Sequence, residues 1–182
     1  LQDEIIKYDL KIVCFNSLTL AGNKLRIPAG PLRETLENLK KYDAAFITGE
    51  KKEKDFLKKI KKINPKMAIF NGEHISLNYH NYQKGNYLVF SGIGNPNNFQ
   101  RILRKYNIKF KSNLIFPDHY DYSKNDITKI KEIAKNKKLK ILTTEKDYYR
   151  IPLNLRKNIN YLKIELKIEN LKEFKNFVIK HL

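Results

Sequence analysis

The chain has 182 residues and a formal net charge of +18, and 41% of its residues are hydrophobic. This length fills one domain or two small ones, and this composition can supply a packed core. The single cysteine, Cys14, excludes a disulfide framework and fits a reducing environment. No apolar run approaches the ~20 residues that are needed to span a bilayer.

The positive charge comes mostly from lysine, since only six of the 37 basic residues are arginine. Proteins that bind phosphate or carboxylate closely favour arginine, whose planar fork bonds two oxygens at once. The lysine excess is therefore typical of a residue bias across a genome, although a surface attracted to nucleic acid or to an anionic membrane stays open. A basic α/β nucleic-acid-binding module is the alternative function, and charge alone supports it, without an RNP motif or a zinc knuckle.

Hydrophobic patterns along the chain predict strands that alternate with helices of 10–14 residues. The predicted strands are 10–15, 44–48, 66–70, 75–80, 87–92, 108–116, 139–144 and 159–166. The predicted helices begin at Pro31, at Pro96 after an Asn95 cap, and after a Ser123 cap, and two more cover 53–63 and 169–181. The order indicates an α/β fold with a mostly parallel sheet flanked by helices. Residues 80–86 are the most linker-like segment, which predicts domains at 1–80 and 81–182.

Four polar turns follow predicted strands, where ligands gather in open α/β sheets. In the first, RIPAGPLRE (26–34), Gly30 is the predicted N-cap and Pro31 the first helical residue. Free N–H groups there favour an anion, Arg33 adds a guanidinium for phosphate, and Glu34 can bind Mg²⁺ or its water. Alternatively, Glu34 only offsets the helix dipole and Arg33 pairs with a surface acid.

The second and fourth turns admit plain structural interpretations. FSGIGNP (90–96) resembles a phosphate-cradling turn, but a tight strand-to-helix turn needs glycine for backbone reasons alone. ILTTEKDYYRIP (141–152) can contact a nucleotide base or cap a helix with Thr144. Lys146 and Asp147 in it are candidates for a buried structural pair.

The third turn, IFPDHYDYSKND (115–126), places His119 between two acids, Asp118 and Asp121. Imidazole titrates near about pH 6.5 and can accept a proton from an attacking hydroxyl, and a nearby carboxylate orients the ring. A metal site is the poorer explanation, because no H-x-H, H-E-x-x-H or Cys partner is present. A loop histidine that only makes hydrogen bonds is the third interpretation.

Taken together, the motifs PAGPLRE (28–34), SGIGNP (91–96), FPDHYDY (116–122) and TTEKD (143–147) resemble the tetraacyldisaccharide 4′-kinase family, the lipid A kinases of Gram-negative bacteria. Leu1-Gln2, DLKIV (9–13) and Gly22-Asn23 extend the resemblance over nearly the whole chain. It implies a P-loop NTPase-like kinase fold. It also implies that residues 1–80 are the remainder of the kinase core and that residues 81–182 form an α/β domain closing over the active site.

The family's Walker A loop and catalytic aspartate lie upstream of the matched region, and no G-x-x-x-x-G-K-[ST] occurs in these 182 residues. The chain also begins LQDEII, without Met and close to a predicted strand. We therefore expect an N-terminally truncated kinase that is inactive by itself.

The implied reaction moves the γ-phosphoryl group of ATP to the 4′-hydroxyl of a tetraacyldisaccharide 1-phosphate, the lipid A precursor. The resemblance assigns His119 as the partner of the family's aspartate in activating the hydroxyl, Arg33 and Gly30 to the nucleotide phosphates, and Glu34 to Mg²⁺. It implies the cytoplasmic face of the bacterial inner membrane and no nucleic acid partner. The basic helix 53–63 would contact anionic headgroups, at ~1 kcal/mol per lysine, or be an ordinary solvated face.

Overall fold

The computed structural model describes residues 7–50 and 54–182 and shows eight β-strands and five α-helices there. The strands are β1 Ile12–Asn16, β2 Ala44–Thr48, β3 Ala68–Ser76, β4 Asn86–Ser91, β5 Lys109–Ile115, β6 Lys140–Thr144, β7 Ile159–Leu162 and β8 Ile164–Ile168. The helices are α1 Lys54–Ile63, α2 Pro96–Lys105, α3 Lys124–Asn136, α4 Glu145–Arg150 and α5 Leu171–Lys180. Within these described ranges, no helix is both long enough and apolar enough to span a membrane. Leu1, Gln2 and the predicted helix start at residue 53 lie outside them.

The chain separates into two compact units, Leu1–His74 with Leu166–Leu182, and Ile75–Glu165. The chain passes from one unit to the other inside β3 and again inside β8. The segment expected as a linker, 80–86, lies within the second unit and overlaps the 3-10 helix Tyr79–Tyr82. The functional division into a kinase core and a closing domain stays a prediction.

The first unit is built on a sheet with strand order β1-β2-β3-β8, in which β1 pairs with β2 and β2 with β3 in parallel. Side chains alternate across β2, because successive residues of a strand point to opposite faces. Ala45 and Ile47 pack with Ile60 of α1 on one face. Ala44 and Phe46 pack on the other face against α5, whose Phe174 and Phe177 join that cluster. Helices therefore flank both faces of β2.

The second unit contains a sheet of order β5-β4-β6-β7 in which all three strand pairs are parallel. Its central strand β4 is buried on both faces, as expected for a parallel strand covered by helices. Leu88 and Phe90 pack with α3, whereas Tyr87 and Val89 pack with α2. The predicted α/β class with mostly parallel sheets flanked by helices is confirmed, and it agrees with a P-loop kinase-like fold.

Three predicted element boundaries are wrong. The helix expected from Pro31 is a short 3-10 helix, Leu36–Lys41, preceded by turns. The strand expected at 66–70 continues to Ser76 as one strand, β3, because its polar middle pairs with β2 through Ile47–Asn71 and Thr48–Gly72. The end of the strand expected at 75–80 is instead the start of the 3-10 helix Tyr79–Tyr82. The strand expected at 159–166 divides at Lys163, whose N–H donates to Asn78 Oδ1 at 2.8 Å, so that β7 and β8 enter different sheets.

The start of α3 is a capping box, as the sequence predicts. The Asp126 N–H donates to Ser123 Oγ at 3.2 Å, and the Ser123 N–H donates back to Asp126 Oδ2 at 2.9 Å. The Ser123 hydroxyl, and then its backbone N–H, lower the pKa of the Asp126 carboxyl below its ordinary value of 3.8. The ionised carboxylate is therefore the form that stabilises the fold.

This capping interaction predicts a pH-dependent stability difference. Because the folded pKa is lowered, the stabilisation is complete above the ordinary pKa of 3.8 and is lost as pH falls through the folded value. Asp126→Asn should reduce the free energy of unfolding at neutral pH, and the difference from wild type should shrink in urea titrations as pH falls below 3.8. Glu132→Gln, on the same helix, is the control. A difference that stays constant with pH would contradict the assignment.

Candidate functional site

The strand order of the second unit reverses between β4 and β6. From β4 the chain passes through α2 to β5 on one side, and from β5 through α3 to β6 on the other side. The two connecting helices cover opposite faces of the sheet. In open parallel sheets, ligands bind beyond the carboxyl ends of the strands at such a reversal. The polar turns that follow β4 and β6 are therefore the candidate site of this unit.

Gly92, directly after β4, connects these turns through its carbonyl oxygen. That oxygen accepts a hydrogen bond from the His119 N–H at 3.2 Å and another from Arg150 Nη1 at 3.1 Å. A Cβ atom at position 92 would lie 3.0 Å from both the Pro117 carbonyl oxygen and the Tyr122 hydroxyl. The glycine therefore permits the histidine loop to pack directly against the end of β4.

His119 adopts a left-handed backbone conformation with φ of 61°. Its N–H is shared between the Gly92 carbonyl and Asp118 Oδ1, the latter at 2.9 Å. The side chain is 71% exposed, with Nε2 at 3.9 Å from Asp118 Oδ2. Six other described non-glycine residues also have a positive φ, so the loop is distinguished by its hydrogen bonds to Gly92 and Asp118 and not by its backbone conformation.

The ring of His119 also contacts a residue that the sequence did not single out. Arg150 Nη2 lies 3.0 Å from His119 Nδ1. Arg150 is the last residue of α4 and lies three positions after Asp147, a spacing that brings opposite charges together on one helix face. That spacing is the signal from which this arginine could have been predicted.

Asp147 is fully buried, and its carboxylate contacts both Thr144 and Arg150. The Thr144 hydroxyl donates to Asp147 Oδ2 at 2.6 Å, and the Asp147 N–H donates to Thr144 Oγ1 at 3.1 Å. Arg150 Nη1 lies 3.7 Å from Asp147 Oδ1. Thr144 is thus the N-cap of α4, one of the alternatives that the sequence left open.

The buried pair of Lys146 with Asp147 is not formed. Asp147 is buried whereas Lys146 is exposed, because consecutive residues of a helix point in different directions. Arg150, three residues after Asp147, is instead the basic residue that pairs with this carboxylate.

Buried side-chain oxygens with irregular hydrogen-bond geometry concentrate at the same edge. Three of the four buried side-chain oxygens without a hydrogen bond of ordinary geometry in the described residues belong to Ser91, Tyr122 and Asp147. Burial raises the pKa of the Tyr122 hydroxyl, and the charge of Asp147 and a hydrogen bond to its carboxylate raise it further. Tyr122 and Asp147 are therefore partners within one buried polar cluster at this edge.

The first unit contains a cavity of about 730 Å³ lined by Arg33 and Glu34 among others. Glu34 accepts hydrogen bonds from Asn38 Nδ2 at 3.1 Å and from the Tyr42 hydroxyl at 3.4 Å. Burial raises the pKa of Tyr42, and the charge and the hydrogen bond of Glu34 raise it further. The structure thus brings Arg33 and Glu34 to one cavity wall.

The helix start predicted at Gly30 is wrong. The Gly30 N–H donates to the Arg26 carbonyl at 3.0 Å, the Ile27 N–H donates to the Leu32 carbonyl at 2.8 Å, and the Leu32 N–H donates to the Leu25 carbonyl at 3.2 Å. A Cβ at position 30 would collide with the Asn23 side chain and the Leu25 carbonyl. Because this turn satisfies its own backbone groups, no helix N-terminus forms there, and Arg33 is not in a first helical turn. The roles of Gly30 and Arg33 towards phosphate stay predictions.

Glu34 is the residue that the sequence assigns to a metal. Across residues 7–50 and 54–182, no cluster of three or more His, Cys, Asp or Glu side chains could hold a metal ion. Mg²⁺ needs only one or two protein carboxylates when it keeps its waters and binds substrate phosphates. A hydrogen-bonded carboxylate at a cavity wall is compatible with that kind of site, and the assignment stays a prediction.

Parallel-dominated sheets flanked by helices, with polar turns at the carboxyl ends of the strands, define an α/β protein consistent with a P-loop kinase-like fold. Comparison with known proteins gives the particular family. Residues 1–182 match the family described as tetraacyldisaccharide-1-P 4′-kinase. The chain belongs to this family.

Relatives in two genera support the assignment. A tetraacyldisaccharide 4′-kinase of Pelagibacter ubique (strain HTCC1062) is 48% identical over 183 residues, which cover 99% of this chain and 58% of that protein. A tetraacyldisaccharide 4′-kinase of Rickettsia canadensis (strain McKiel) is 35% identical over 172 residues, covering 93% of this chain and 51% of that protein. The chain thus spans little more than half the length of these relatives.

The packing of Gly92 predicts a stability difference between two neighbouring glycines. Gly92→Ala should lower the free energy of unfolding by about 1–3 kcal/mol, because the new methyl group meets the Pro117 carbonyl oxygen, the Tyr122 hydroxyl and the Tyr120 Cβ atom. Gly94→Ala should cost less, since its methyl group meets only the end of the Asp118 side chain, at 3.0 Å. Urea denaturation of both variants measures this. Equal stabilities would contradict the described packing.

Proposed function

We propose that the family-length protein containing this chain transfers the γ-phosphoryl group of ATP to the 4′-hydroxyl of a tetraacyldisaccharide 1-phosphate. Family membership supports the reaction, and one structural observation supports the site. The turns after β4 and β6 and the His119 loop converge on the Gly92 carbonyl, at the strand-order reversal where such sheets bind ligands. The nucleic-acid alternative has only the net charge in its favour.

In the transfer, the 4′-oxygen forms a bond to the γ-phosphorus while the bond from that phosphorus to the β,γ-bridging oxygen breaks, which leaves ADP. Catalysis of this step depends on positioning and on charge neutralisation more than on covalent chemistry. His119 acts with an aspartate of the family's upstream segment: the hydroxyl proton passes to that carboxylate, and the His119 ring orients it. The hydrogen bonds of the His119 N–H to Gly92 and Asp118 hold the loop in place for this task.

The nucleotide phosphates are assigned to groups of the first unit. Arg33 supplies a fixed positive charge with a bidentate fork, which suits phosphate oxygens. Glu34, oriented by Asn38 and Tyr42, would hold Mg²⁺ or a water bound to it. When bound, Mg²⁺ neutralises charge on the β- and γ-phosphates.

His119→Ala in the family-length protein should lower kcat by about 10²–10⁴-fold, the usual range for a group that assists proton transfer. ATP binding should persist, because the proposed nucleotide contacts, Arg33 and Glu34, belong to the first unit. Turnover is followed with the disaccharide acceptor, and ATP affinity is measured separately by calorimetry. The control is His80→Ala, which removes an exposed ring stacked on Tyr79. Unchanged turnover in His119→Ala would remove this residue from the mechanism.

We further propose peripheral contact with anionic lipid at the cytoplasmic face of the inner membrane, because the acceptor is itself a lipid. Helix α1 supports this, since Ile60 is buried whereas Lys54, Lys58, Lys61 and Lys62 are exposed. Each lysine near such a surface contributes about 1 kcal/mol.

Flotation with vesicles tests this membrane contact. Lys58→Gln with Lys62→Gln should weaken binding to vesicles that contain anionic lipid about tenfold or more. Substitution of Lys157 and Lys163, which are exposed lysines of the second unit, is the control. Equal binding to neutral and anionic vesicles would contradict the proposal.

A further inference from the structure

We propose that Arg150 is a positioning residue for the transfer reaction, which fixes the orientation and the tautomer of the His119 ring. The inference rests on the proposed function, since it assigns a second residue to the same site. Arg150 has no role in the resemblance from which the other site residues were assigned. Its role follows from three sets of contacts.

The first set is the hydrogen bond to the ring. A guanidinium group carries only donors, so a ring nitrogen at hydrogen-bond distance from it must be the acceptor. Arg150 Nη2 lies 3.0 Å from His119 Nδ1, which therefore carries the lone pair. The neutral ring then has its proton on Nε2, the nitrogen that lies 3.9 Å from the Asp118 carboxylate. Arg150 and Asp118 thus both favour the tautomer that carries its proton on Nε2.

The second set of contacts fixes the guanidinium itself. Its other terminal nitrogen, Nη1, donates to the Gly92 carbonyl at 3.1 Å. That carbonyl also accepts the His119 N–H, so one arginine connects to both the backbone and the ring of the histidine loop. A two-pronged contact of this kind needs the planar fork of arginine, which a lysine cannot reproduce.

The third set of contacts joins Arg150 to the buried carboxylate of Asp147, which keeps the arginine in place. The Arg150 side chain is 18% exposed and lies 3.7 Å from the carboxylate of Asp147, which is 0% exposed. The Thr144 hydroxyl occupies Asp147 Oδ2, so Arg150 is the cation that compensates Oδ1. A buried carboxylate is strongly destabilising without such a partner. Burial of Asp147 in the first turn of α4 therefore fixes the arginine, and the arginine fixes the exposed ring.

The chemical consequence is that the ring presents an N–H at Nε2. The Nδ1 lone pair is occupied by Arg150, so the free face of the imidazole is a donor. This face can bind a carboxylate or an oxygen of the acceptor sugar. A ring without this constraint would populate both tautomers and several rotamers, and only a fraction of molecules would be competent.

A double-mutant cycle in the family-length protein tests the proposal. Arg150→Met should lower kcat about tenfold, with the KM for ATP unchanged within about twofold. In the His119→Ala background the same substitution should lower kcat less than about twofold, because the arginine acts through the ring. A merely structural role would lower kcat equally in both backgrounds, and that result would overturn the proposal. Arg104→Met is the control, since Arg104 contacts Gln100 and Phe110.

Loss of Arg150 leaves the Asp147 carboxylate uncompensated and can impair folding. The cycle is therefore repeated with Asp147→Asn as the background of all four proteins, which removes the buried charge. A tenfold loss of kcat from Arg150→Met in the presence of His119, and a loss of less than about twofold in the His119→Ala background, supports the proposal. Equal losses of kcat in the two backgrounds overturn it. ¹⁵N spectra of histidine-labelled wild type, above the ordinary histidine pKa of about 6.5, supply a readout that is independent of activity. His119→Gln assigns the signal, and a ring protonated at Nδ1 would overturn the proposal.

Failure of this inference can be distinguished from failure of the proposed function. If His119→Ala leaves turnover unchanged, the proposed role of the histidine itself is wrong. If His119→Ala lowers turnover and Arg150→Met does not, only the role of the arginine is wrong.

Discussion

The carbonyl oxygen of Gly92 accepts two hydrogen bonds, one from the backbone of His119 and one from the guanidinium of Arg150. It lies at the end of the central, fully buried strand of the second sheet, so its position is fixed by the core of that unit. The histidine loop and α4 come from distant parts of the chain and meet at this atom. A side chain at position 92 would displace the histidine loop from the end of β4, because its Cβ would lie 3.0 Å from the Pro117 carbonyl oxygen. The polar edge of the second unit therefore depends on a glycine and on one backbone acceptor.

The two units carry different parts of the proposed chemistry. In the first unit, Arg33 and Glu34 lie on one cavity wall, which suits phosphate and a hydrated cation. In the second unit, the His119 cluster suits the hydroxyl that attacks. This division is chemically reasonable, because phosphoryl transfer requires charge neutralisation at the nucleotide and orientation at the acceptor. The family match covers residues 1–182, which span 58% and 51% of the two relatives, and the activity is proposed for the family-length protein.

Sequence reasoning succeeded where structure is set by local signals. The predicted strand 44–48 is β2 as observed, and the Asn95 and Ser123 caps begin α2 and α3 as predicted. Sequence reasoning failed where pairing between distant parts of the chain determines the local structure. The turn around Gly30 satisfies its backbone within the loop, and Asn71 and Gly72 enter a strand because β2 offers them partners. His119 could be identified from its acidic neighbours and from the resemblance. The spacing of Arg150 from Asp147 predicts an ion pair, but its contact with His119 joins residues 31 positions apart and could not be predicted from local sequence.

The most direct test of the account is a crystal structure of the family-length protein with a non-hydrolysable ATP analogue and the disaccharide acceptor. The account predicts that the His119 ring lies about 3 Å from the 4′-hydroxyl or from a carboxylate that contacts this hydroxyl. Arg150 should still contact Nδ1 on the opposite side of the ring. A complex in which the ring contacts neither the hydroxyl nor such a carboxylate would contradict the assignment of this site.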